Sequence, residues 1–229
     1  MKKRVLALVA SPSVHPTLGY PVGFWASELA HAWLELEDAG YELTLASPKG
    51  GKVIVDAYSD PRDASGYSAH DWPSLGFLTS PKHAALLEDS VKLATVDPAA
   101  FDALWVAGGQ SPMFTFRDDP DVRRVVRAFY DAGKVTALVC HGTAAMLDLP
   151  IEGKLVTGFA NAEEDLVDAA MKTKVMPFRI QDEAVRRGAL FAAAPAFRPH
   201  AVRDGHLVTG QQQYSARAAA RLVIEALGH

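Results

Sequence analysis

Four short, predominantly apolar runs constrain the fold of this chain more than any other feature of its sequence. Runs of this length, without a polar residue at every second position, are typical of strands buried on both faces of a sheet. Helical patterns lie between several of them, and this alternation favours an α/β protein with a parallel sheet covered on both faces. We therefore expect central strands at residues 5–10, 43–46, 103–107 and 135–139.

Helix signals follow the first and third of these runs. The spacing of Trp25, Leu29 and Leu36 predicts a helix over 22–39, which Gly40 ends. Asp118 or Asp119, followed by Pro120, opens a second helix that closes near Gly133. Beyond residue 140 we expect a strand at 154–157, helices at 163–170 and 182–187, a strand at 206–209 and an Ala-rich C-terminal helix.

The segment at about 49–98 differs in composition from the rest of the chain. It is rich in Gly, Pro, Ser and Asp, and aromatic residues such as Tyr58, Tyr67 and Trp72 are interleaved with them. This pattern indicates an irregular, cap-like excursion, a kind of segment that often covers a functional site. No linker or repeat interrupts the sequence, so we predict one domain over 1–229.

The distribution of charged residues and the N-terminal sequence exclude several classes of function. The 23 Lys and Arg residues are scattered and are outnumbered by 27 Asp and Glu, so the formal net charge is -4. A chain of this kind is not expected to bind nucleic acid or a membrane surface. The apolar run at the N-terminus is short for an export signal and is followed by Ser11 and Pro12, so we interpret it as a strand of a cytoplasmic protein.

Cys140 is the strongest candidate for a catalytic residue. It is the single cysteine, so it cannot form a disulfide within the chain. It follows an apolar strand and precedes small residues and a predicted helix, the geometry of a nucleophile elbow. We expect the helix N-terminus to lower the pKa of the thiol and His141 to orient toward it. On these residues alone, a packing role for Cys140 remains an open alternative.

A second loop follows the strand at 103–107. Gly108, Gly109 and Gln110 lie there, and the glycines allow backbone N–H groups to face the same edge of the sheet as Cys140. One N–H from this pair and that of His141 are predicted to form an oxyanion hole. An ordinary strand-ending turn is the alternative.

Glu28 and Glu164 are the candidate carboxylates. Glu28 lies beside an apolar stripe of the first helix, where partial burial would raise its pKa and suit it to proton transfer. Glu164, like Glu163, lies in the first turn of a predicted helix, where stabilisation by the helix dipole is a sufficient explanation. Either residue could instead be a solvated helix residue. No His-x-x-x-His or similar spacing indicates a metal site.

Taken together, these segments resemble the ThiJ/PfpI superfamily, the relatives of class I glutamine amidotransferases that carry a cysteine nucleophile. Within it, they are most similar to the branch of glutathione-independent glyoxalase III enzymes and heat-shock holding chaperones. The resemblance covers nearly the whole chain. The matching pieces are GFWASE at 23–28, AGYELTLASP at 39–48, GG at 108–109, VCHG at 139–142, and LVTGF at 155–159 running on to Glu164.

The resemblance implies a flavodoxin-like three-layer sandwich with a mostly parallel central sheet and an irregular insertion. It also implies a triad of Cys140, His141 and Glu164, with Glu28 as the acid/base and Gly109 with His141 supplying oxyanion amides. In the glyoxalase mechanism of this family, a thiolate adds to the aldehyde of methylglyoxal, a carboxylate moves a proton between adjacent carbons, and water releases lactate. The resemblance implies that no metal or organic cofactor is needed. It also implies that the protein forms a homodimer.

Two segments depart from the pattern of that branch. The chain reads GGQSP at 108–112 where many relatives have Gly-Gly-His-Gly, and GQQQYS at 210–215 where relatives commonly have Gly-Gln-Asn-Pro. With Gln110 and the residues at 211–213, amide and phenol groups are expected in the pocket, where they could bind a different carbonyl or amide substrate.

Three functions follow as hypotheses. The first is an enzyme that acts on small reactive carbonyls, most concretely a lyase that converts methylglyoxal to lactate. The second is an amidase or related hydrolase, because a thiolate and an oxyanion hole also serve acyl transfer. The third is a stress-related holding chaperone whose cysteine senses oxidation and whose aromatic excursion binds unfolding proteins.

Overall fold

The computed structural model describes residues 2–228, and its centre is a seven-stranded sheet. The strand order is β10-β11-β7-β6-β1-β4-β5, and every neighbouring pair is parallel except β10 and β11. The strands of this sheet are β1 (Arg4–Leu8), β4 (Glu42–Ser47), β5 (Val91–Lys92), β6 (Ala103–Val106), β7 (Val135–Val139), β10 (Ala201–Asp204) and β11 (Leu207–Gly210). Two small additional sheets pair β2 (Ser13–Val14) with β3 (Pro21–Val22), and β8 (Leu155–Val156) with β9 (Leu190–Phe191).

Helices cover both faces of the large sheet. They are α1 (Ala26–Asp38), α2 (Trp72–Thr79), α3 (Pro81–Glu88), α4 (Pro112–Thr115), α5 (Pro120–Asp131), α6 (Asn161–Met171), α7 (Ile180–Arg186) and α8 (Ala216–Leu227). In the part of the chain that the structure describes, no helix is long and apolar enough to cross a membrane.

The core consists of two apolar layers, one on each face of the sheet. Neighbouring residues of β6 separate into them: Leu104 packs in the layer beneath α5, and Trp105 in the layer beneath α1 and α8. This division follows from the alternation of side chains along a strand. The predicted flavodoxin-like three-layer sandwich is thereby confirmed.

The predicted start of the first helix is wrong. Residues 21–22 form β3, and α1 begins at Ala26. The intervening segment is held extended, because the Gly23 N–H donates to the Asp56 carboxylate at 2.8 Å and the Phe24 N–H to the Ile54 carbonyl at 3.1 Å. These partners lie about thirty residues away, so helical periodicity does not reveal them.

The excursion at 49–98 contains more regular structure than its composition predicts. Prolines begin α2 and α3, and Asp71 caps α2 by accepting a hydrogen bond from the Ser74 N–H. The segment then returns to the sheet as its edge strand β5. Between the sheet and α2, its irregular part carries Tyr58 and Tyr67 toward the ends of β6 and β7.

Candidate active site

Cys140 lies immediately after β7 in a strained turn. Its φ is 54°, in the left-handed region that a non-glycine residue rarely adopts, and its side chain is buried. Gly142 allows the turn, since a Cβ there would lie 2.9 Å from the Ala107 carbonyl oxygen. The helix predicted after this strand is a short 3₁₀ helix that begins at the cysteine itself (Cys140–Met146). The result is a sharp elbow that holds the thiol at the carboxyl end of the sheet, beside the loop after β6.

His141 connects the thiol to a buried carboxylate. Its Nε2 lies 3.1 Å from Oε1 of Glu164, and its Nδ1 lies 3.8 Å from Sγ of Cys140. With the Nε2 proton donated to Glu164, Nδ1 is the nitrogen that can accept a proton from the thiol. The Phe159 ring packs on the imidazole with centroids 4.2 Å apart. The first turn of α6 thus brings Glu164 into the constellation expected of a triad.

Glu28 lies beneath the thiol and is inaccessible to solvent. Its Oε2 accepts a hydrogen bond from the Gly108 N–H at 2.6 Å, whereas Oε1 has no hydrogen-bond partner among residues 2–228. Burial raises the pKa of this carboxyl to about 8, although the neighbouring Cys140 side chain and the Gly108 N–H each lower it. Glu28 is therefore mostly protonated at neutral pH and can serve as either proton donor or acceptor at a small cost.

The predicted lowering of the thiol pKa is wrong in sign. Burial raises the pKa of Cys140 well above its ordinary value, and the adjacent Glu28 carboxyl raises it further. The backbone N–H groups of His141 and Gly109 act in the opposite direction without reversing the shift. A short 3₁₀ turn supplies little helix dipole, so loss of hydration dominates. Before substrate binds, the Cys140 thiol and the Glu28 carboxyl are therefore mostly protonated at neutral pH.

The loop after β6 fits closely against α1. Gly109 has φ 103°, and a Cβ at this position would lie 2.5 Å from the Trp25 backbone nitrogen. A Cβ at Gly108 would lie 2.8 Å from the backbone nitrogen of His141. Glycine is thus required at both positions, and the N–H groups of Gly109 and His141 face the sulfur together. This is the arrangement that an oxyanion hole requires.

Asp56, which the sequence analysis missed, fixes this loop. Its buried carboxylate accepts hydrogen bonds from the N–H groups of Gln110 at 2.7 Å and Gly23 at 2.8 Å. Burial also raises the pKa of Asp56. The Gln110 side chain accepts a hydrogen bond from the Tyr20 hydroxyl at 2.9 Å, and both residues line the cavity. An acidic residue in an irregular segment gave no specific signal of this role.

Of the glutamines at 211–213, Gln213 lines the cavity. Gln211 instead donates to Glu163, which also accepts from the N–H groups of Ala160 and Phe197. This network fixes the start of α6 and holds Phe197 at φ 56°. Gln212 donates to the Arg198 carbonyl oxygen. Gln211 and Gln212 therefore support the walls of the site.

A cavity of about 410 Å³ opens above Cys140 and His141. The excursion contributes Tyr58 and Tyr67, and burial raises the pKa of Tyr67 to about 12. The remaining lining residues come from the loops and from α6: Tyr20, Trp25, Gly109, Gln110, Phe159, Leu166, Val167, Ala170, Met171, Val175, Met176, Phe197 and Gln213. Among the residues described, no group of three or more His, Cys, Asp or Glu is arranged to hold a metal ion.

Fold and site together define a class of protein: α/β domains with a cysteine at the elbow after a central parallel strand, flanked by a buried carboxyl and backbone N–H donors. Residues 21–226 match the DJ-1/PfpI family, and the chain belongs to this family. The expected superfamily is thereby confirmed.

Two kinds of relatives extend the comparison. The chain is 27% identical to a Saccharomyces cerevisiae protein named glutathione-independent glyoxalase HSP31, over 99% of this chain and 98% of that protein. Its fold is similar to that of the Francisella tularensis rapid encystment protein REP24, with a TM-score of 0.88, 26% identity, and coverage of 99% of this chain and 100% of that one. It is also similar to glyoxalase III from Candida albicans, with a TM-score of 0.78, 27% identity, and coverage of 98% and 97%.

Proposed function

We propose that this protein is a glutathione-independent glyoxalase that converts methylglyoxal to lactate. The observation that carries the proposal is the buried Glu28 carboxyl, with a pKa of about 8, packed against the Cys140 thiol. An isomerising enzyme needs a nucleophile to hold the aldehyde and, beside it, a group that gives and takes protons near neutral pH. The names of the yeast relative and the Candida structure support the same activity.

The reaction begins with addition of sulfur to the aldehyde carbon. His141 Nδ1, 3.8 Å from Sγ, accepts the thiol proton, and the Nε2 hydrogen bond to Glu164 stabilises the resulting imidazolium. The raised thiol pKa means that the proton leaves only as the carbon–sulfur bond forms. The N–H groups of Gly109 and His141 stabilise the developing oxygen anion, which then takes a proton to give a hemithioacetal.

Glu28 performs the second step. Its ionised carboxylate removes the hydrogen on the former aldehyde carbon, and an enediol forms as the neighbouring ketone oxygen gains a proton. The carboxyl then returns a proton to the neighbouring carbon while the hydroxyl on the former aldehyde carbon loses its proton, which leaves a lactoyl thioester on Cys140. Because the pKa of about 8 lies near neutrality, the carboxyl suits both halves of this transfer. His141 activates the water that cleaves the thioester and releases lactate.

Lactate production from methylglyoxal in the absence of glutathione tests this proposal. Wild type is expected to form lactate, and Cys140→Ala and Glu28→Gln are each expected to abolish it. Glu42→Gln, the same chemical change at an exposed position, serves as the control and retains activity. If wild type forms no lactate but releases ammonia from primary amides, the glyoxalase proposal is wrong and the protein is an amidase that uses the same thiol.

Three broader features complete the proposal. We infer that residues 1–229 fold as one domain, which predicts a single cooperative transition in urea. We infer a homodimer, which sedimentation tests against a monomer of 24.6 kDa. We infer a cytoplasmic location, which cell fractionation tests.

A further inference from the structure

The cavity above Cys140 is larger than a three-carbon substrate requires. At about 410 Å³ it falls in the range of pockets that bury much larger ligands. The buried catalytic groups Cys140 and His141 lie at its floor, and Gln110 also lines it. Methylglyoxal bonded to the thiol would occupy this end only and leave the remaining wall in contact with water.

That remaining wall is built from apolar side chains of α6 and the loop that follows. Leu166, Val167, Ala170 and Met171 recur at the spacing of one helix face, and Met176 continues the surface. Two acidic residues of the same helix, Asp165 and Asp168, pair with Arg179 at 2.8 and 2.9 Å and do not line the cavity. The residues that α6 and the following loop contribute to the cavity lining are therefore all apolar.

Two aromatic rings join the floor to this wall. Phe159 packs against the His141 imidazole, and the Phe197 ring lies 6.4 Å from that of Phe159 at an interplanar angle of 70°. Both rings line the cavity, so a substituent that extends from an adduct on Cys140 has aromatic as well as aliphatic surface to contact. At the mouth, Leu166 is 53% exposed, an apolar surface that a bound substituent would remove from water.

We propose that the preferred substrates are 2-oxoaldehydes that carry an apolar group larger than methyl, an aryl ring or an alkyl chain. This inference rests on the proposed glyoxalase function and names its substrate class. The chemistry is unchanged: sulfur adds to the aldehyde carbon, its hydrogen is transferred as a proton to the neighbouring carbon, and water cleaves the thioester to a 2-hydroxy acid. The aldehyde carbon is oxidised and the ketone carbon is reduced within the same molecule, so no external redox partner is needed.

The expected preference follows from the apolar surface that is buried. Each methylene placed against the wall is expected to raise kcat/KM about fourfold, provided that the chain leaves water completely. Partial exposure at the mouth lowers this gain. We therefore expect kcat/KM to be higher by roughly tenfold or more for phenylglyoxal and for 2-oxooctanal than for methylglyoxal.

The test compares kcat/KM for these three compounds by quantifying the 2-hydroxy acid formed. Leu166→Asn makes the mouth of the wall polar at a half-exposed position, so the fold should tolerate it. It is expected to lower the ratio of kcat/KM for 2-oxooctanal to that for methylglyoxal about fivefold. The matched control is Leu190→Asn, because Leu190 is 60% exposed and lies outside the cavity; it should leave this ratio unchanged.

The outcomes separate the two proposals. If methylglyoxal is converted and neither larger compound is preferred, the inference fails while the glyoxalase function stands. If the larger compounds are preferred but Leu166→Asn and Leu190→Asn behave alike, the α6 wall does not select the substrate and the inference is overturned. If no compound yields a hydroxy acid, both proposals fall.

Discussion

Replacing Glu28 with Gln is expected to stabilise the protein while it abolishes activity. The pKa of Glu28 is about 8 in the folded protein, against an ordinary value of 4.5. Because the folded pKa is the higher one, the contribution of this group to stability is fully present below pH 4.5 and is lost as the pH rises to about 8. Between these limits stability falls by about 1.4 kcal/mol per pH unit, which amounts to about 3 kcal/mol at pH 7.

Glutamine avoids this cost because it does not ionise. It has nearly the shape of the protonated carboxyl, and its side-chain oxygen can accept the hydrogen bond that the Gly108 N–H now donates to Oε2. The variant should therefore match wild type near pH 4 and exceed it by about 3 kcal/mol at pH 7 and about 5 kcal/mol near pH 8.5. A glutamine cannot shuttle protons, so the gain in stability comes with the loss of lactate production.

Urea unfolding followed by tryptophan fluorescence at these three pH values measures the difference. Glu42→Gln is the control, because Glu42 is exposed and its replacement should leave the pH dependence of wild type unaltered. A stability difference between Glu28→Gln and wild type that is the same at every pH would refute the reasoning. It would mean that Glu28 ionises in the folded protein as readily as in the unfolded chain.

Three further substitutions probe the rest of the site. Gly109→Ala should lose activity and destabilise the protein by several kcal/mol in urea unfolding, since its Cβ would lie 2.5 Å from a backbone atom. The control is Gly133→Ala, which is also at positive φ but in open space and should cost about 1 kcal/mol. Equal costs for the two variants would contradict a close fit at Gly109. Glu164→Gln should lower kcat about a hundredfold with little change in KM, because it weakens stabilisation of the His141 imidazolium, and a change confined to KM would argue against that role. Asp56→Ala leaves two buried backbone N–H groups without their acceptor and should cost about 2–6 kcal/mol in urea unfolding, a loss that a half-exposed loop would not show.

The central strands and their order along the chain were predictable, because a strand buried on both faces of a sheet is a short run of consecutive apolar residues. Residues 135–139 are apolar or small at every position, and the structure places β7 at the same residues. The start of α1 was not predictable, because the segment before it is held by Asp56 and Ile54 from the excursion. A helical pattern that extends into such a segment gives no sign of a competing partner thirty residues away.

The candidate site was predictable in its residues more than in its electrostatics. The elbow sequence identified Cys140 and His141, and the structure brings Glu28 and Glu164 to them. The sign of the thiol pKa shift was wrong, because it depends on complete burial, which the sequence does not measure. Phe197 was missed for a similar reason: it reaches the cavity through a left-handed backbone held by a hydrogen bond to Glu163.

Mass spectrometry of the protein, acid-quenched during turnover of methylglyoxal, tests most directly whether Cys140 is the nucleophile. The hemithioacetal and the lactoyl thioester are isomers, so both raise the protein mass by that of one methylglyoxal. We predict this adduct on the peptide that contains Cys140 in wild type, and neither adduct nor lactate in Cys140→Ala. Lactate formed by Cys140→Ala at the wild-type rate, or turnover by wild type with every adduct on another residue, would contradict the account.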